Sequence, residues 1–370
     1  MKTNPKSAAK EKIEAQQPTA YPFTAIVGQD DMKLALILNV IDPHIGGVLV
    51  MGHRGTGKST AVRGLAGLLP DVEKVKACIY GCDPSSVNLL CDDCRKRMRT
   101  GKALPRITGQ VPVVDLPLGA TEDRICGTID IERALTQGVK SFEPGLLAKA
   151  NRGFIYIDEV NLLEDHLVDV LLDVAASGRN IVEREGISVA HPARFVLVGS
   201  GNPEEGELRP QLLDRFGLYV EIETIYDLDD RVEIVKRRER FEVDPAGFLK
   251  EQEPEQKKLR LKIAKARESL EATIIDKATL RQIAELCVKL KIDGHRGELT
   301  MMRASRALAV FEGRKKVDDS DVERVAPMSL HHRLRKDPLE SVGSKAKIEK
   351  EVESLFGDKR QKTRKVQSLA

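Results

Sequence analysis

The chain has 370 residues, of which 41% are hydrophobic, so it is long enough to form two domains with separate cores. Sixty basic residues stand against fifty-seven acidic residues, and the formal net charge of +3 gives no electrostatic reason to expect nucleic-acid or membrane binding. No apolar stretch approaches the ~20 residues that cross a bilayer, and residues 1–17 lack the apolar core of a signal peptide, so we expect a soluble cytoplasmic protein without membrane insertion.

Short apolar runs alternate with helical patterns in the first part of the chain. Residues 1–20 carry two prolines and many polar residues, and they are predicted to form a flexible tail. From residue 21 onward, the short runs are apolar on both faces, which is typical of a parallel sheet covered by helices. The predicted strands span residues 48–51, 111–115, 154–158, 195–200 and 218–222.

The second half of the chain is predicted to be helical. Apolar residues such as Ile283 and Cys287 recur there at intervals of three and four, and Asp318 is a candidate N-cap. The predicted helices span residues 228–241, 256–270, 277–290, 298–311 and 320–334. The predicted organisation is a flexible tail (1–20), an α/β domain (21–225), a connecting helix and linker (226–255), a helical lid domain (256–343) and a charged tail (344–370).

A glycine-rich segment follows the first predicted strand and precedes a helical pattern. Its glycines let backbone N–H groups converge on phosphate oxygens, and the N-terminus of the following helix adds partial positive charge. Lys58 would reach the outer phosphates, Ser59 would hold Mg²⁺, and Ile26 and Val27 would pack near the adenine. The sequence therefore predicts that ATP and Mg²⁺ bind at Gly52, His53, Arg54, Gly55, Thr56, Gly57, Lys58 and Ser59.

Polar side chains follow the next two long apolar strands. Asp158 and Glu159 come directly after one strand, at the edge where an open α/β sheet presents ligand-binding groups. Asp158 would hold Mg²⁺ through its water shell, and Glu159 would activate the attacking water, although the pair could instead cap the helix near Glu164. Asn202, after the following strand, would help to position that water, or it could be a turn residue.

Two arginines are candidates for a role in hydrolysis. Arg215 lies on a short predicted helix and is expected to point out of its own subunit, where it would stabilise the transition state on a neighbour's γ-phosphate. Hydrolysis would then require an oligomer. Arg296 begins a helix of the lid and would sense the nucleotide state. The structural alternatives are a surface salt bridge for Arg215 and helix N-terminal electrostatics for Arg296.

Four of the six cysteines cluster in the sequence. Cys78, Cys82, Cys91 and Cys94 have the spacing C-x3-C-x8-C-x2-C, which is near that of small zinc loops. Six cysteines in a chain of this size do not indicate a disulfide scaffold. Zinc binding, redox-sensitive thiols and incidental surface cysteines are the three interpretations that the sequence leaves open.

The order of these motifs is similar to that of the AAA+ ATPases, and further segments closely resemble the ATPase subunit of magnesium chelatase. The resemblance runs from about Tyr21 to Leu339 and implies a P-loop NTPase fold, in which a parallel sheet flanked by helices precedes a C-terminal helical bundle. The segments that carry it are DLPLGATEDR at 115–124, FEPGLLAKANRG at 142–153, GSGNPEEG at 199–206 and HRLRKDPL at 332–339.

The resemblance implies that the chain is the ATP-hydrolysing motor of a ligase that inserts Mg²⁺ into protoporphyrin IX in chlorophyll or bacteriochlorophyll biosynthesis. It implies as partners other copies in a homo-oligomeric ring, expected to be a hexamer, an AAA+ subunit with an integrin-type domain, and a large porphyrin-binding subunit. In that family Arg215 would be the arginine finger and Arg296 the second sensor. Residues 122–135 would lie in an insertion and residues 182–191 in a hairpin, and both are candidates for contact with partners.

The sequence departs from that family in two places. His53 stands where relatives often carry Asp. This difference should not disturb phosphate binding, because the backbone of the loop binds the phosphates. Many relatives lack the four clustered cysteines, so the resemblance gives these residues no role. Cys126 matches a position at which some relatives have a redox-responsive thiol, and thiol control by Cys126 is a separate hypothesis.

Two other function classes remain open alternatives. One is a protein-remodelling ATPase without porphyrin chemistry, against which residues 115–124 and 331–339 favour the chelatase. The other is a nucleic-acid motor related to replicative helicases. The near-neutral charge, the aromatic content of 4% and the lack of a recognisable DNA-binding module speak against that second class.

Overall fold

A computed structural model describes six segments of the chain, namely residues 19–101, 103–130, 141–184, 187–206, 208–334 and 344–357. Residues 1–18 of the predicted tail and residues 131–135 of the predicted insertion lie outside them. No helix in these segments is both long enough and apolar enough to span a membrane.

Strands in the described segments form one five-stranded sheet and three two-stranded hairpins. In chain order they are β1 (Val48–Gly52), β2 (Val72–Val75), β3 (Arg106–Gly109), β4 (Val113–Leu116), β5 (Gly127–Asp130), β6 (Ser141–Pro144), β7 (Gly153–Ile157), β8 (Arg179–Arg184), β9 (Ile187–Pro192), β10 (Phe195–Gly201) and β11 (Leu218–Ile222). The sheet has the order β11-β1-β10-β7-β4, and its strands are all parallel. All five predicted strands are confirmed as the members of this sheet.

Helices cover the sheet and form the second half of the chain. In chain order they are α1 (Asp30–Ile41), α2 (Lys58–Leu68), α3 (Asp92–Arg99), α4 (Glu122–Cys126), α5 (Leu146–Lys149), α6 (Asp165–Ser177), α7 (Pro210–Arg215), α8 (Leu228–Val243), α9 (Pro245–Ser269), α10 (Lys277–Lys289), α11 (Arg296–Phe311), α12 (Asp319–Leu330) and α13 (Ser344–Val352).

Alternate residues of the central strands pack against two helical layers. Val48 and Val50 of β1 join the core that includes α1 and α2, whereas Leu49 and Met51 join the core that includes α6. All four side chains are buried, which explains why this strand reads as a continuous apolar run. The carboxyl ends of β1, β7 and β10 lie side by side at one edge, because Met51 pairs with Gly201 and Gly199 pairs with Ile157.

The five predicted helices of the second half are present, but one predicted boundary is wrong. Helix α9 runs without a break through the boundary placed between residues 255 and 256. Pro254 lies inside this helix. The sequence around Pro254 is charged and has no apolar repeat, so it did not indicate that the helix begins before residue 256. Helix α12 begins at a capping box, in which Asp318 and Asp321 each accept the other's backbone N–H, as expected for an N-cap at Asp318.

The interpretation of residues 344–370 as a charged tail is wrong for residues 344–357. Helix α13 and the turn after it bury Ile348, Val352 and Phe356 in the core of the lid. These three residues are spaced four apart, so they share one helix face, which the surrounding Lys and Glu residues obscured. Residues 358–370 lie outside the described segments.

Candidate functional site

The glycine-rich segment connects the end of β1 to the start of α2. Gly55 and Gly57 have φ angles of 78° and 83°, in the left-handed region that favours glycine. A Cβ atom added to either residue would meet no atom within 4 Å, so the loop is open where a phosphate chain would bind. Thr56 steadies the loop, because its hydroxyl donates to the His53 carbonyl at 2.9 Å. Ser59 lies in the first turn of α2.

Lys58 lies at the centre of this loop. Its ammonium donates to the carbonyl oxygens of Gly52, His53 and Gly201, the last two at 3.2 and 3.4 Å. Burial lowers the pKa of Lys58 more than the nearby carboxylates of Asp158 and Glu159 raise it. The side chain is therefore a partly desolvated cation held between β1 and β10, and a phosphate oxygen could replace one of its carbonyl partners.

Asp158 is oriented by two hydroxyl groups that the sequence analysis did not single out. The Ser200 hydroxyl donates to Asp158 Oδ1 at 2.6 Å, and the Tyr156 hydroxyl lies 3.0 Å from the same oxygen. Burial raises the pKa of Tyr156, so its phenol stays protonated at neutral pH. Both contacts use Oδ1 of Asp158, which is an exposed residue, and neither uses Oδ2.

Glu159 combines an unusual backbone conformation with a restrained side chain. Its φ angle of 55° is left-handed, a strained state for a residue other than glycine, and its N–H donates to Ser200 Oγ at 3.3 Å. Its carboxylate forms an ion pair with Arg54 at 3.0 Å, and Arg54 also pairs with Glu205. Arg54 of the phosphate loop thus links the acidic pair to the loop that follows β10.

Two asparagines lie beside this arrangement. Asn202 is buried, and its side-chain oxygen accepts the Glu204 N–H at 3.3 Å, so it caps a short turn as the structural alternative proposed. Asn161 was missed by sequence reasoning. Both polar atoms of its amide are buried without a hydrogen-bond partner in the described part of the chain, and Oδ1 lies 3.3 Å from a Cβ position on Gly201. This unsatisfied amide lies beside Gly201, the residue whose carbonyl Lys58 contacts.

Arg215 lies at the end of α7 and turns toward the neighbouring helix α6. Among the described residues its ion-pair partners are Asp169 and Asp173, at 3.0 and 2.9 Å. Arg209, before α7, pairs with Asp165 on the same helix. Within one chain, Arg215 therefore lies against an acidic face of α6.

Arg296 and Arg333 connect the lid to the segment around Arg215. Arg296 is the first residue of α11, and its guanidinium lies 2.7 Å from a carboxylate oxygen of Asp214. Arg333 is buried and donates to the carbonyl oxygens of Asp214, Phe216 and Gly217 at 2.7 to 3.0 Å. Burial lowers the pKa of Arg333 to about 10, so it remains charged at neutral pH. Sequence reasoning missed Arg333 because its partners are carbonyl groups of a distant segment.

A cavity of about 440 Å³ adjoins the phosphate loop. Ile26 and Val27 line it, together with Ile225 and the loop residues Gly55 and Thr56. Apolar side chains next to a phosphate loop are suited to a nucleoside base, and contact of Ile26 and Val27 with adenine stays a prediction.

The four clustered cysteines lie close together in the structure. The sulfur atoms of Cys78, Cys82, Cys91 and Cys94 all lie within 4.8 Å of one another. Cys126 is separate and buried, and burial raises the pKa of its thiol to about 11. A thiol that rarely ionises is a poor nucleophile, so the structure gives no support for a reactive Cys126.

Comparisons with known proteins show the family to which the chain is similar. Residues 129–211 match the family model described as magnesium chelatase, subunit ChlI, and residues 280–352 match the AAA lid domain. The magnesium-chelatase 38 kDa subunit of Chlorobaculum tepidum is 60% identical over 361 residues, which cover 95% of this chain and 89% of that protein. The chloroplastic ChlI subunit of Nicotiana tabacum is 55% identical, over 95% of this chain and 82% of its own length.

A solved structure is similar over most of its length. It is described as a model of the complex between subunits BchI and BchD of magnesium chelatase, based on a single-particle cryo-EM reconstruction. The match has 54% sequence identity and a TM-score of 0.53, and covers 86% of this chain and 98% of that chain. The parallel sheet, phosphate loop, acidic pair and helical lid define an AAA+ ATPase, a class whose members use ATP and Mg²⁺. The sequence identities place it within that class: the chain belongs to the ChlI family of magnesium chelatase ATPase subunits.

Proposed function

We propose that this chain is the ATP-hydrolysing motor of a magnesium chelatase and that hydrolysis drives insertion of Mg²⁺ into protoporphyrin IX. The observation that carries the proposal is that Lys58, Asp158 and Glu159 meet at one edge of the sheet, in a chain 60% identical to a magnesium-chelatase subunit. The same residues would serve any AAA+ ATPase, so the porphyrin part of the proposal rests on the family to which the chain belongs.

The residues at this edge fit MgATP as a substrate. The loop at Gly55 and Gly57 is open, and Lys58 is held by carbonyl oxygens that a phosphate could replace. The base cavity lies next to the loop. Asp158 keeps one carboxylate oxygen outside its contacts with Ser200 and Tyr156. These groups supply the cation, the backbone cradle and the oxygen ligand that a magnesium-bound triphosphate requires.

Each residue would then perform one part of the hydrolysis. Ser59 and Asp158 would hold Mg²⁺, which offsets the negative charge of the phosphates when it is bound. Lys58 would bind the outer phosphate oxygens. Glu159, once released from Arg54, would orient the attacking water and accept its proton, and Asn202 would help to position that water.

The proposal includes three kinds of protein partner. Other copies of the chain would form a ring, in which Arg215, now paired with Asp169 and Asp173 of its own copy, would serve the nucleotide of a neighbour. A BchD-type subunit is the second partner, since the similar BchI was solved in a complex with BchD. A large porphyrin-binding subunit would carry out the metal insertion. We propose the cytoplasm as the location of this assembly.

The test mixes the purified chain with its two partner subunits, ATP, Mg²⁺ and protoporphyrin IX, and follows the absorption spectrum of the porphyrin. We expect Mg-protoporphyrin to form with the unaltered chain and not with Lys58→Ala, which should lose ATP binding. A chain that hydrolyses ATP with both partners present but never supports metal insertion would contradict the porphyrin role and favour the protein-remodelling alternative.

A further inference from the structure

The connection between β2 and β3 contains a small cluster that the ATPase site does not use. Residues 76–105 form this connection, and in its described part the buried apolar side chains are Leu90 and three cysteines, which pack with Val75 of β2. A segment of this size cannot bury enough apolar surface to order itself, and such segments usually depend on a metal or a disulfide. The four sulfur atoms are at its centre, within 4.8 Å of one another.

We propose that Cys78, Cys82, Cys91 and Cys94 bind one structural Zn²⁺ ion. Tetrahedral Zn²⁺ with Zn–S bonds of about 2.3 Å holds its four sulfur atoms about 3.8 Å apart. The sulfur atoms of Cys78 and Cys91 are already 3.9 Å apart. Binding would release the protons of the four thiols to solvent and fill all four positions of the ion, which makes the site structural rather than catalytic.

The backbone around the cluster supports bound thiolates. The Cys91 N–H donates to Cys82 Sγ at 3.2 Å, and the Cys94 N–H donates to Cys91 Sγ at 3.5 Å. Such N–H donors are the outer contacts that orient metal ligands. Cys91 caps α3 and Cys94 lies in its first turn, where the partial positive charge of the helix N-terminus favours a thiolate.

A single ion explains this arrangement better than the other two interpretations of the cysteines. A disulfide joins two sulfur atoms at about 2.05 Å, so it does not account for four sulfur atoms that all lie within 4.8 Å of one another. Three of the four residues are buried, so they are not incidental surface cysteines. A cluster of several iron and sulfide ions would hold its ligands farther apart than one ion does.

The proposed zinc loop, residues 78–94, would brace the β8–β9 hairpin. The Tyr80 ring stacks on His191 of β9, with ring centroids 4.6 Å apart. The Tyr80 carbonyl accepts from Asn151 Nδ2 at 2.8 Å, and Asp83 pairs with Arg152 at 2.9 Å. Both partners lie just before β7, so ordering of the zinc loop would fix the hairpin and the start of a central strand.

The experiment measures metal in the full-length chain, purified without a histidine tag or chelator. We expect one zinc per chain by elemental analysis. In competition with a chelator that buffers free zinc, Cys94→Ser should bind zinc at least about 10–100-fold more weakly and give up its zinc first, since loss of a ligand costs at least as much as loss of an outer contact. Cys287→Ser is the matched control, because Cys287 is also buried but lies in the lid core, and it should keep its zinc. Stoichiometric iron, a disulfide within the cluster or zinc held as tightly by Cys94→Ser as by the unaltered chain would each overturn the proposal.

A second measurement does not depend on the folding of any variant. Zinc removed from the unaltered chain with a mercurial reagent is replaced by Co²⁺, and four thiolates around Co²⁺ should give the intense visible bands of tetrahedral cobalt. Hydrogen exchange of residues 179–192 should speed up when the metal is removed and slow down when it is restored, while exchange in residues 58–68 stays unchanged. Absence of the cobalt bands, or exchange in residues 179–192 that ignores the metal, would refute the site or its bracing role.

Discussion

Ser200 joins two neighbouring strands at the point where Asp158 leaves the sheet. Its hydroxyl donates to Asp158 at 2.6 Å and accepts the Glu159 N–H at 3.3 Å. We predict that Ser200→Ala lowers kcat/KM for ATP roughly ten- to hundredfold, because a hydrogen bond to a charged group contributes about 1.5–3 kcal/mol. Steady-state ATPase assays over a range of Mg²⁺ concentrations measure the effect.

Ser305 provides the control for this substitution. It is a fully buried serine in the lid whose hydroxyl has no hydrogen-bond partner in the described part of the chain. Ser305→Ala removes the same atom from an equally buried position and should leave turnover unchanged. Equal activities of the Ser200 and Ser305 variants would show that Ser200 does not orient Asp158.

The sequence predicted the residues of the site that belong to local motifs, and it missed those defined by contacts between distant segments. Lys58 and the acidic pair follow strands, so spacing alone suggested their roles. Ser200 lies 42 residues from Asp158, and Arg54 lies 151 residues from Glu205. No local pattern records such pairs, because strand order in the sheet brings them together.

At the scale of secondary-structure elements, the β8–β9 hairpin depends on a neutral histidine. His191 Nε2 lies 3.0 Å from the Asn180 side-chain nitrogen, and Nδ1 lies 3.0 Å from the Pro192 carbonyl. The neutral ring therefore accepts from Asn180 and donates to Pro192, and a second ring proton would face the Asn180 donor. Burial accordingly lowers the pKa of His191.

This arrangement predicts a loss of stability in acid. In the unfolded chain His191 binds a proton near its ordinary pKa of about 6.5, whereas in the folded chain its pKa is lower. The folded state is therefore fully stable with respect to this group above pH ~6.5, and it loses that stability as the pH falls toward the pKa of the folded state. We expect Tm to fall between pH ~7.5 and ~5.5, and His191→Gln to lessen the slope. A slope in His191→Gln equal to that of the unaltered chain would exclude His191 as the source.

Strand burial explains which elements could be predicted. The central strands β1, β7 and β10 are buried throughout and read as apolar runs. Strands β2 and β3 are mostly exposed, so their four-residue sequences carry no such run and were missed. Helix α13 was missed for a related reason, because its few apolar residues are separated by charged ones. Hairpins of this kind form through pairing with a partner strand rather than through local propensity.

At the scale of the whole molecule, the proposed role of Arg215 involves a neighbouring copy of the chain. Its present partners are two carboxylates of its own chain, Asp169 and Asp173. We predict that Arg215→Ala binds ATP normally but hydrolyses it on the order of 10³-fold more slowly. Arg209→Ala, which also removes an ion pair with α6, should hydrolyse ATP at a normal rate. Nucleotide binding and phosphate release give the two measurements.

Mixing of two inactive variants separates this proposal from a role within one chain. Arg215→Ala retains Glu159, and Glu159→Gln retains Arg215, so a site between two copies can be complete. At equal mixing about a quarter of the sites in a closed ring would contain both groups, and activity should recover in that proportion. Mixtures as inactive as their components would mean that Arg215 serves its own chain or none.

The contacts of Arg296 and Arg333 have a consequence for how such a ring would work. Both lid arginines hold residues 214–217, the segment that also carries Arg215. A tilt of the lid in one copy would therefore shift the guanidinium offered to the next copy. Hydrolysis in one copy would then influence hydrolysis in the next copy, in a single direction around the ring, and no separate regulator would be needed to set the order.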